Sequence, residues 1–371
     1  MSRWTRTAPL AAASGVQDEC WRYARQGVAE QAFDIVVTTG KALDVVGLKN
    51  TTLDELRDYA AFLSRTATQL YAADAPRRRV TQCPCCQCDT AAATEILRIF
   101  DIAYRRCDEC GHAFVGDQPT EESITALFGN SEAHSQTYVD PKTVEIRLQQ
   151  VIAPKVDWTL DCYRRAFDGD PASCTDVGAG AGHFVEGMRR KGIATDGFEL
   201  SEASRRFAWQ AFGIDLHAAD FLTAEPVPVD ILTMWGLLEY TPEPRRFLAR
   251  ARRSLTADRG MLIVEVPRFD ALGTVAQAAN PTAIARHMDP TSHINCFSDS
   301  SLATALVEEG FRPVGVWYFG MDAYELLVQA ALRLDDEDAL NRLADMIPAL
   351  QASCDAGRQC DDLIVAAVPA P

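Results

Sequence analysis

The sequence is short of basic charge. Its 36 Lys and Arg stand against 52 Asp and Glu, a formal net charge of −16. Nucleic-acid binders present a basic face. The densest basic run here is "PRRR" at 76–79, so the balance argues against nucleic-acid partners. Long apolar runs are also missing, which excludes a membrane-spanning helix. The opening "MSRWTRTAPLAAASGV" carries arginines, but its apolar stretch is short and weak. It reads as a disordered basic tail rather than a secretory leader, and the expected location is cytoplasmic. No internal repeat or low-complexity tract stands out. Histidine is scarce, with six residues in 371.

Cysteine, in contrast, is plentiful. Twelve are present, and six fall between 83 and 110. Clusters of this kind in large intracellular proteins serve metal more often than disulfides. Cys83 and Cys86 stand in C-P-x-C, and Cys107 and Cys110 in "RCDECGHAF". Two such pairs can present four thiolates tetrahedrally to one Zn²⁺, and a closed four-thiolate site is structural. Cys85 and Cys88 form a second CxxC in shifted register, and the C-P start at 83 favours the 83/86 pair. Gly111 suits the tight backbone of the second knuckle. A redox role would need a thioredoxin-like context, and His112 reads as a bystander.

Along the chain, apolar spacings of three and four predict helices over 16–72, with Thr52 and Glu55 as a capping box. Residues 142–167 predict a helix interrupted at Pro154. From 174 the pattern changes. Short apolar runs ("CTDVGA", "ATDGFEL", "IDLHAA", "VDILTMW", "GMLIVEVP") alternate with helical ones. That alternation predicts a parallel sheet covered on both faces. "FRPVGVWYF" and "DDLIVAAV" add two strands around a helical stretch at 322–355. The expected divisions are a helical region at 1–75, a zinc-binding module at 76–125, and a catalytic domain at 126–371. The helices at 322–355 are an insertion in that last domain. They and the N-terminal stretch are the candidate faces for a homodimer.

"TDVGAGAGHFVEGM" (175–188) runs from a strand through a glycine turn into a helix. Gly178, Gly180 and Gly182 let the backbone approach a ligand, and the helix start favours polar groups. Asp176 precedes the turn. Glu199 ends the next strand, where a carboxylate can accept both hydroxyls of a ribose. Asp220 follows "IDLHAA", where it can meet an adenine amino group. A dinucleotide-binding fingerprint would be G-x-G-x-x-G, and the spacing here is G-x-G-x-G.

"DVGAGAGHF", "GFELS", "AADF" and "LLEYTPEPRRFL" together resemble the successive motifs of class I S-adenosylmethionine-dependent methyltransferases. The cysteine preface and "SHINCFS" (292–298) resemble segments of family members that include sugar-nucleotide C-methyltransferases. The resemblance covers about 83–320 and the last strand. It implies an α/β, Rossmann-like, mostly parallel seven-stranded sheet, preceded by the helical region and the zinc module. It implies S-adenosyl-L-methionine as cofactor, with structural Zn²⁺, and an in-line transfer to a small-molecule methyl acceptor. On this resemblance Asp176, Gly178, Gly180, Gly182, Phe184, Glu199, Leu200, Asp220, Phe221, Trp235 and Leu238 surround the cofactor. His293 is the first candidate base, because imidazole titrates near neutral pH, and His287 is the second. Tyr240 stands where the family often has histidine, which removes one base and leaves a hydroxyl for the acceptor. Trp317, Tyr318, Phe319 and Tyr324 read as core or as a substrate wall. Two other functions compete: an RNA or protein methyltransferase gripping its substrate through the zinc module, and a non-catalytic assembly subunit.

Overall fold

The computed structural model describes residues 4–6, 15–25, 27–41, 45, 52–130, 139–282, 287–336 and 338–371. Most of the predicted N-terminal tail, and His134, lie outside the described residues.

The stretch from 16 to 39 corrects the helical expectation. It forms β2 (Val16–Arg25) and β3 (Val28–Thr39), an antiparallel hairpin turning at Gly27 with φ +81°. A short β1 (Trp4–Arg6) pairs with β2. The inward residues are Glu19, Trp21 and Tyr23 on β2 and Phe33, Ile35 and Val37 on β3, a period of two. The helical expectation does hold at Leu53–Leu70, where Thr52 and Glu55 make the reciprocal capping box.

Next come β4 (Arg77–Arg79), β5 (Thr94–Ile99), β6 (Ile102–Arg106), β7 (Ala113–Val115) and β8 (Asp117–Pro119). A chain of helical turns then leads into the helix Ala153–Ala166. Pro154 sits in its first turn, and the preceding turn, Leu148–Ile152, widens to a π-helix. The strands β9 (Ser173–Val177), β10 (Ala194–Phe198), β11 (Ile231–Trp235) and β12 (Met261–Pro267) are parallel neighbours in the order β12-β11-β9-β10. After β13 (Asn295–Cys296) come β14 (Phe311–Phe319) and β15 (Asp362–Pro369), the latter inserted antiparallel between β12 and β14.

Among the described residues the order is β1-β2-β3-β14-β15-β12-β11-β9-β10, nine strands where seven were expected. Six of the seven expected strands are present, and the N-terminal strands β1–β3 add three, with β3 parallel to β14. The expected strand in "IDLHAA" is reduced to one bridge, Phe198 to His217. The segment is too polar at Asp215 and His217 to be buried on both faces as its neighbours are. Leu262, Ile263 and Val264 are fully enclosed, each worth about 1.5–3 kcal/mol of burial. Trp317, Tyr318, Phe319 and Tyr324 are at most 4% exposed, so they pack as core. No helix among the described residues is long and apolar enough to cross a membrane.

Candidate active site and metal site

Parallel strands put their carboxyl ends on one edge, and the loops there form a crevice. At the end of β9 the chain makes its glycine turn. Gly178, Gly180 and Gly182 have φ of +74°, +51° and +77°, a conformation that costs other residues dearly. A Cβ built on Gly180 meets nothing within 4 Å, so this residue faces open space.

Glu199, past the end of β10, closes on the turn. Its Oε2 accepts the Gly180 N–H at 2.8 Å, and its Oε1 accepts the Ser201 N–H at 2.6 Å. Each oxygen keeps a further lone pair. Burial raises its pKa against those backbone hydrogen bonds. Asp176, buried under the turn, accepts the Thr233 hydroxyl at 2.7 Å, and burial pushes its carboxyl up to about 7. Asp220 accepts the Leu222 N–H at 2.9 Å, fixing its loop. Phe221 meets Phe198 edge to face with ring centroids 5.5 Å apart. Leu200 stays half exposed at the rim, and Leu238 is fully enclosed. Phe184, on the helix that the turn starts, packs on Trp235 at 4.8 Å. Leu237 leans over Gly178, its Cδ1 3.2 Å from where a Cβ would sit. The structure therefore gathers these predicted residues along one edge, from Phe221 through the turn to Trp235.

The three candidate catalytic residues divide. Tyr240 and His293 meet edge to face, ring centroids 5.3 Å apart. The His293 Nδ1 lies 2.7 Å from the His287 carbonyl oxygen. A carbonyl only accepts, so Nδ1 carries the proton and Nε2 keeps its lone pair. Burial lowers the pKa of His293, opposed by that hydrogen bond, so the ring is neutral near pH 7. His287 itself is enclosed, and burial drives its pKa down to about 3. Its backbone, rather than its ring, meets His293. Tyr104 donates its hydroxyl to the His293 carbonyl at 2.8 Å.

The thiols of Cys83, Cys86, Cys107 and Cys110 lie within 4.8 Å of one another, all buried. Cys83 to Cys110 and Cys86 to Cys107 are 3.6 Å apart, close to the edge, about 3.8 Å, of a tetrahedron built on zinc–sulfur bonds. The two knuckles repeat each other. Gln87 and Gly111 donate N–H to the carbonyls of Cys83 and Cys107, both at 2.9 Å. Cys83 and Cys107 donate to the carbonyls of Cys88 and His112. Gln87 and Gly111 both have positive φ. This arrangement selects the 83/86 register. Cys85 is buried outside the cluster, and Cys88 is only partly buried. His112 pairs instead with Asn295, Nε2 to Oδ1 3.0 Å.

Asn295 belongs to β13, which pairs with β7 and so joins "SHINCFS" to the cysteine module. Its side chain donates to the Thr241 carbonyl at 2.7 Å, and its backbone N–H to the Glu239 carbonyl at 3.1 Å. The module thereby rests on the loop after β11, the loop that carries Tyr240.

Sequence reading missed a buried ion pair on the same edge. Lys155 Nζ lies 2.6 Å from Glu265 Oε2 and 4.7 Å from the Trp235 ring centroid. A lysine on a helix is by default a solvated residue. The available signal was Glu265, one charge inside the apolar strand "MLIVEVP".

The model of a family described as a methyltransferase domain matches residues 151–316. Among curated proteins none matches the chain in sequence. Among solved structures, the chain is similar to magnesium protoporphyrin IX methyltransferase from Synechocystis PCC 6803 with bound SAH. That likeness has 12% identity and a TM-score of 0.46, over 68% of this chain and 100% of that one. A plantazolicin methyltransferase in complex with SAH is similar at 13% identity and TM-score 0.43, over 67% and 95% of the two chains. The sugar N-methyltransferase from Streptoalloteichus sp ATCC 53650 is similar at 22% identity and TM-score 0.29, over 34% and 53%. The edge of β9–β12, with its glycine turn, lies within residues 151–316, the segment that the methyltransferase-domain model matches, and that match supports an enzyme.

Proposed function

We propose that the enzyme takes its methyl group from S-adenosylmethionine and passes it to a small molecule, a sugar nucleotide or a secondary-metabolite intermediate. The observation that carries this reading is Glu199, locked by two backbone N–H groups beside an open left-handed Gly180. Such a cradle fits a ribose diol and a closely approaching chain. Bound S-adenosylmethionine supplies a methyl group on a cationic sulfur. Glu199 would accept the ribose hydroxyls and Asp220 the adenine amino group, with Phe221 offering an aromatic face to the base. Asp176 supports the turn from below. His293, neutral and with Nε2 free to accept, takes the acceptor's proton, and Tyr240 donates a hydrogen bond beside it. The four-cysteine cluster would hold one structural Zn²⁺ and so fix the module that Asn295 ties to the Tyr240 loop. The acidic surface favours a small acceptor over a polyanion.

The test is calorimetric titration with S-adenosylhomocysteine. Glu199→Ala removes two charge-assisted hydrogen bonds, so binding weakens at least tenfold. Equal affinity in a folded variant would remove Glu199 from the site. No binding to a folded, ligand-free wild type would sink the cofactor reading.

A further inference from the structure

Lys41 and the cavity beside it lie at the far end of the edge that carries the glycine turn. We propose that this cavity takes the end of the methyl acceptor remote from the methylated atom, and that Lys41 anchors a negatively charged group there, a carboxylate or a phosphate. The assignment deepens the small-molecule reading above and rests on it.

The topology brings Lys41 to that edge. β15 is antiparallel to both β12 and β14, so β14 runs parallel to β12, and β3 runs parallel to β14. The carboxyl end of β3 therefore falls on the same side of the sheet as the turn after β9. Two hydrogen bonds fix the chain as it leaves β3. The Gly40 N–H donates to the Tyr318 carbonyl at 2.8 Å, and the Trp317 indole N–H donates to the Gly40 carbonyl at 2.9 Å. Lys41 comes next. Four strand spacings separate β14 from β9 in the sheet order, about 19 Å in all. An acceptor that reaches from the turn to Lys41 is held by its far end. Binding there is energy that can be used to align the reacting end.

The cavity has a volume of about 220 Å³. Gly40 and Lys41 form one wall, Tyr324 a second, and Ile347, Gln351 and Asp355 a third. These residues come from the exit of β3 and from the helices Asp322–Leu334 and Ile347–Ala356. All lie outside residues 151–316, so the cavity is built by what this chain adds to the matched segment. Pockets for drug-sized ligands run to about 300–1,000 Å³, so this one takes a single small group.

The charges on its walls favour an anion. Gln351 is already engaged, donating to Asp355 Oδ1 at 2.8 Å and accepting the Ala323 N–H at 2.9 Å. Lys41 Nζ lies 4.6 Å from the Phe319 ring centroid and 6.0 Å from that of Trp317. Among the described residues it has no ion-pair or hydrogen-bond partner. Burial pulls its pKa down to about 8, with Lys155 adding to the fall and Glu265 and Asp362 opposing it. It is therefore still a cation at pH 7. Glu265 is taken by Lys155. Burial pushes the carboxyls of Asp362 and Asp355 up to about 7 each, so neither is a full negative charge there. A sheltered cation with aromatic faces against it and no paired carboxylate lacks a counter-ion, and an anion in the cavity supplies one.

The experiment is calorimetric titration of the full chain with inorganic pyrophosphate, benzoate and benzamide, the last a neutral match for benzoate. Lys41→Gln removes the charge. Ala352→Trp, at an exposed position on the cavity wall, blocks the cavity and leaves the charge in place. At least one anion should bind the wild type, and at least tenfold more weakly to each variant. The tighter of the two assigns the acceptor's group, phosphate or carboxylate. Benzamide should not tell Lys41→Gln from wild type; an equal loss for benzamide would make Lys41 a packing residue and overturn its role. Circular dichroism checks that the variants are folded, and Ala352→Trp carries the test where Lys41→Gln does not fold. A wild type that binds neither anion, or anion binding that survives in a folded variant, overturns the assignment. S-adenosylhomocysteine binding is a separate measurement, and its failure alone refutes the cofactor reading.

Discussion

Gly180 separates a residue kept for the fold from one kept for the ligand. Its φ is +51°, and a Cβ placed there meets nothing within 4 Å. Gly180→Ala therefore costs the fold only the left-handed penalty of an L-residue, about 1–2 kcal/mol. The added methyl enters the space where the backbone approaches the cofactor. Overpacking by one methyl costs about 1–3 kcal/mol, roughly a fivefold to 150-fold rise in the Kd of S-adenosylhomocysteine. Gly182→Ala behaves differently. Its Cβ would lie 3.0 Å from the Ala208 Cβ, at φ +77°. The clash adds to the backbone penalty, so this variant loses more stability. Urea unfolding and calorimetric titration of both variants check the contrast. A folded Gly180→Ala protein that binds S-adenosylhomocysteine within twofold of wild type would refute the reasoning, because the open face of the turn would then face no ligand.

Three further outcomes follow from the same geometry. Purified protein should carry one zinc per chain by elemental analysis; Cys107→Ser should lose it and lower the melting temperature, whereas Cys85→Ser should keep it. His293→Gln should lower kcat by about 10²–10⁴ for an acceptor that must lose a proton. In the wild type kcat should fall in acid, below the usual histidine range, because a lowered pKa keeps the base neutral down to that point; an unchanged profile in His293→Gln would exclude it as the base. Asp176 has a folded pKa raised to about 7 from 3.8. The unfolded chain therefore ionises first, and the ligand-free protein loses stability as pH rises from about 4 to 7. The loss is on the order of 4 kcal/mol at 1.36 kcal/mol per pH unit. Asp176→Asn should flatten that slope in urea unfolding at pH 5 and pH 8.

The parallel half of the sheet was legible because strands buried on both faces read as unbroken apolar runs, as in "ILTMW" and "MLIVEVP". The four thiols were legible too, since CxxC spacing is a local property of the knuckle. The register was legible only as a preference set by the C-P start, because Cys85 and Cys88 have the same spacing, and the fold leaves Cys85 outside the cluster. The hairpin at 16–39 was misread because long polar and charged residues punctuate it. Its period of two lies in Trp21 and Tyr23 and in Phe33, Ile35 and Val37, while Ala24, Ala29 and Ala32 supply false helical spacings. Asp176 and Glu199 were visible beside the glycine turn. Lys155 was not, because its partner lies 110 residues away and no local pattern links them.

The hairpin's place in the sheet has a consequence for biosynthesis. β3 leaves the ribosome early, yet its partner β14 begins at Phe311, and the strand that ties β14 to the rest of the sheet begins at Asp362. Until β14 and β15 have been made, Phe33, Ile35 and Val37 have no central sheet to join. Strands made well before β14 and β15 are thus locked in only after them, and through that interval they are an open edge for chaperones to guard.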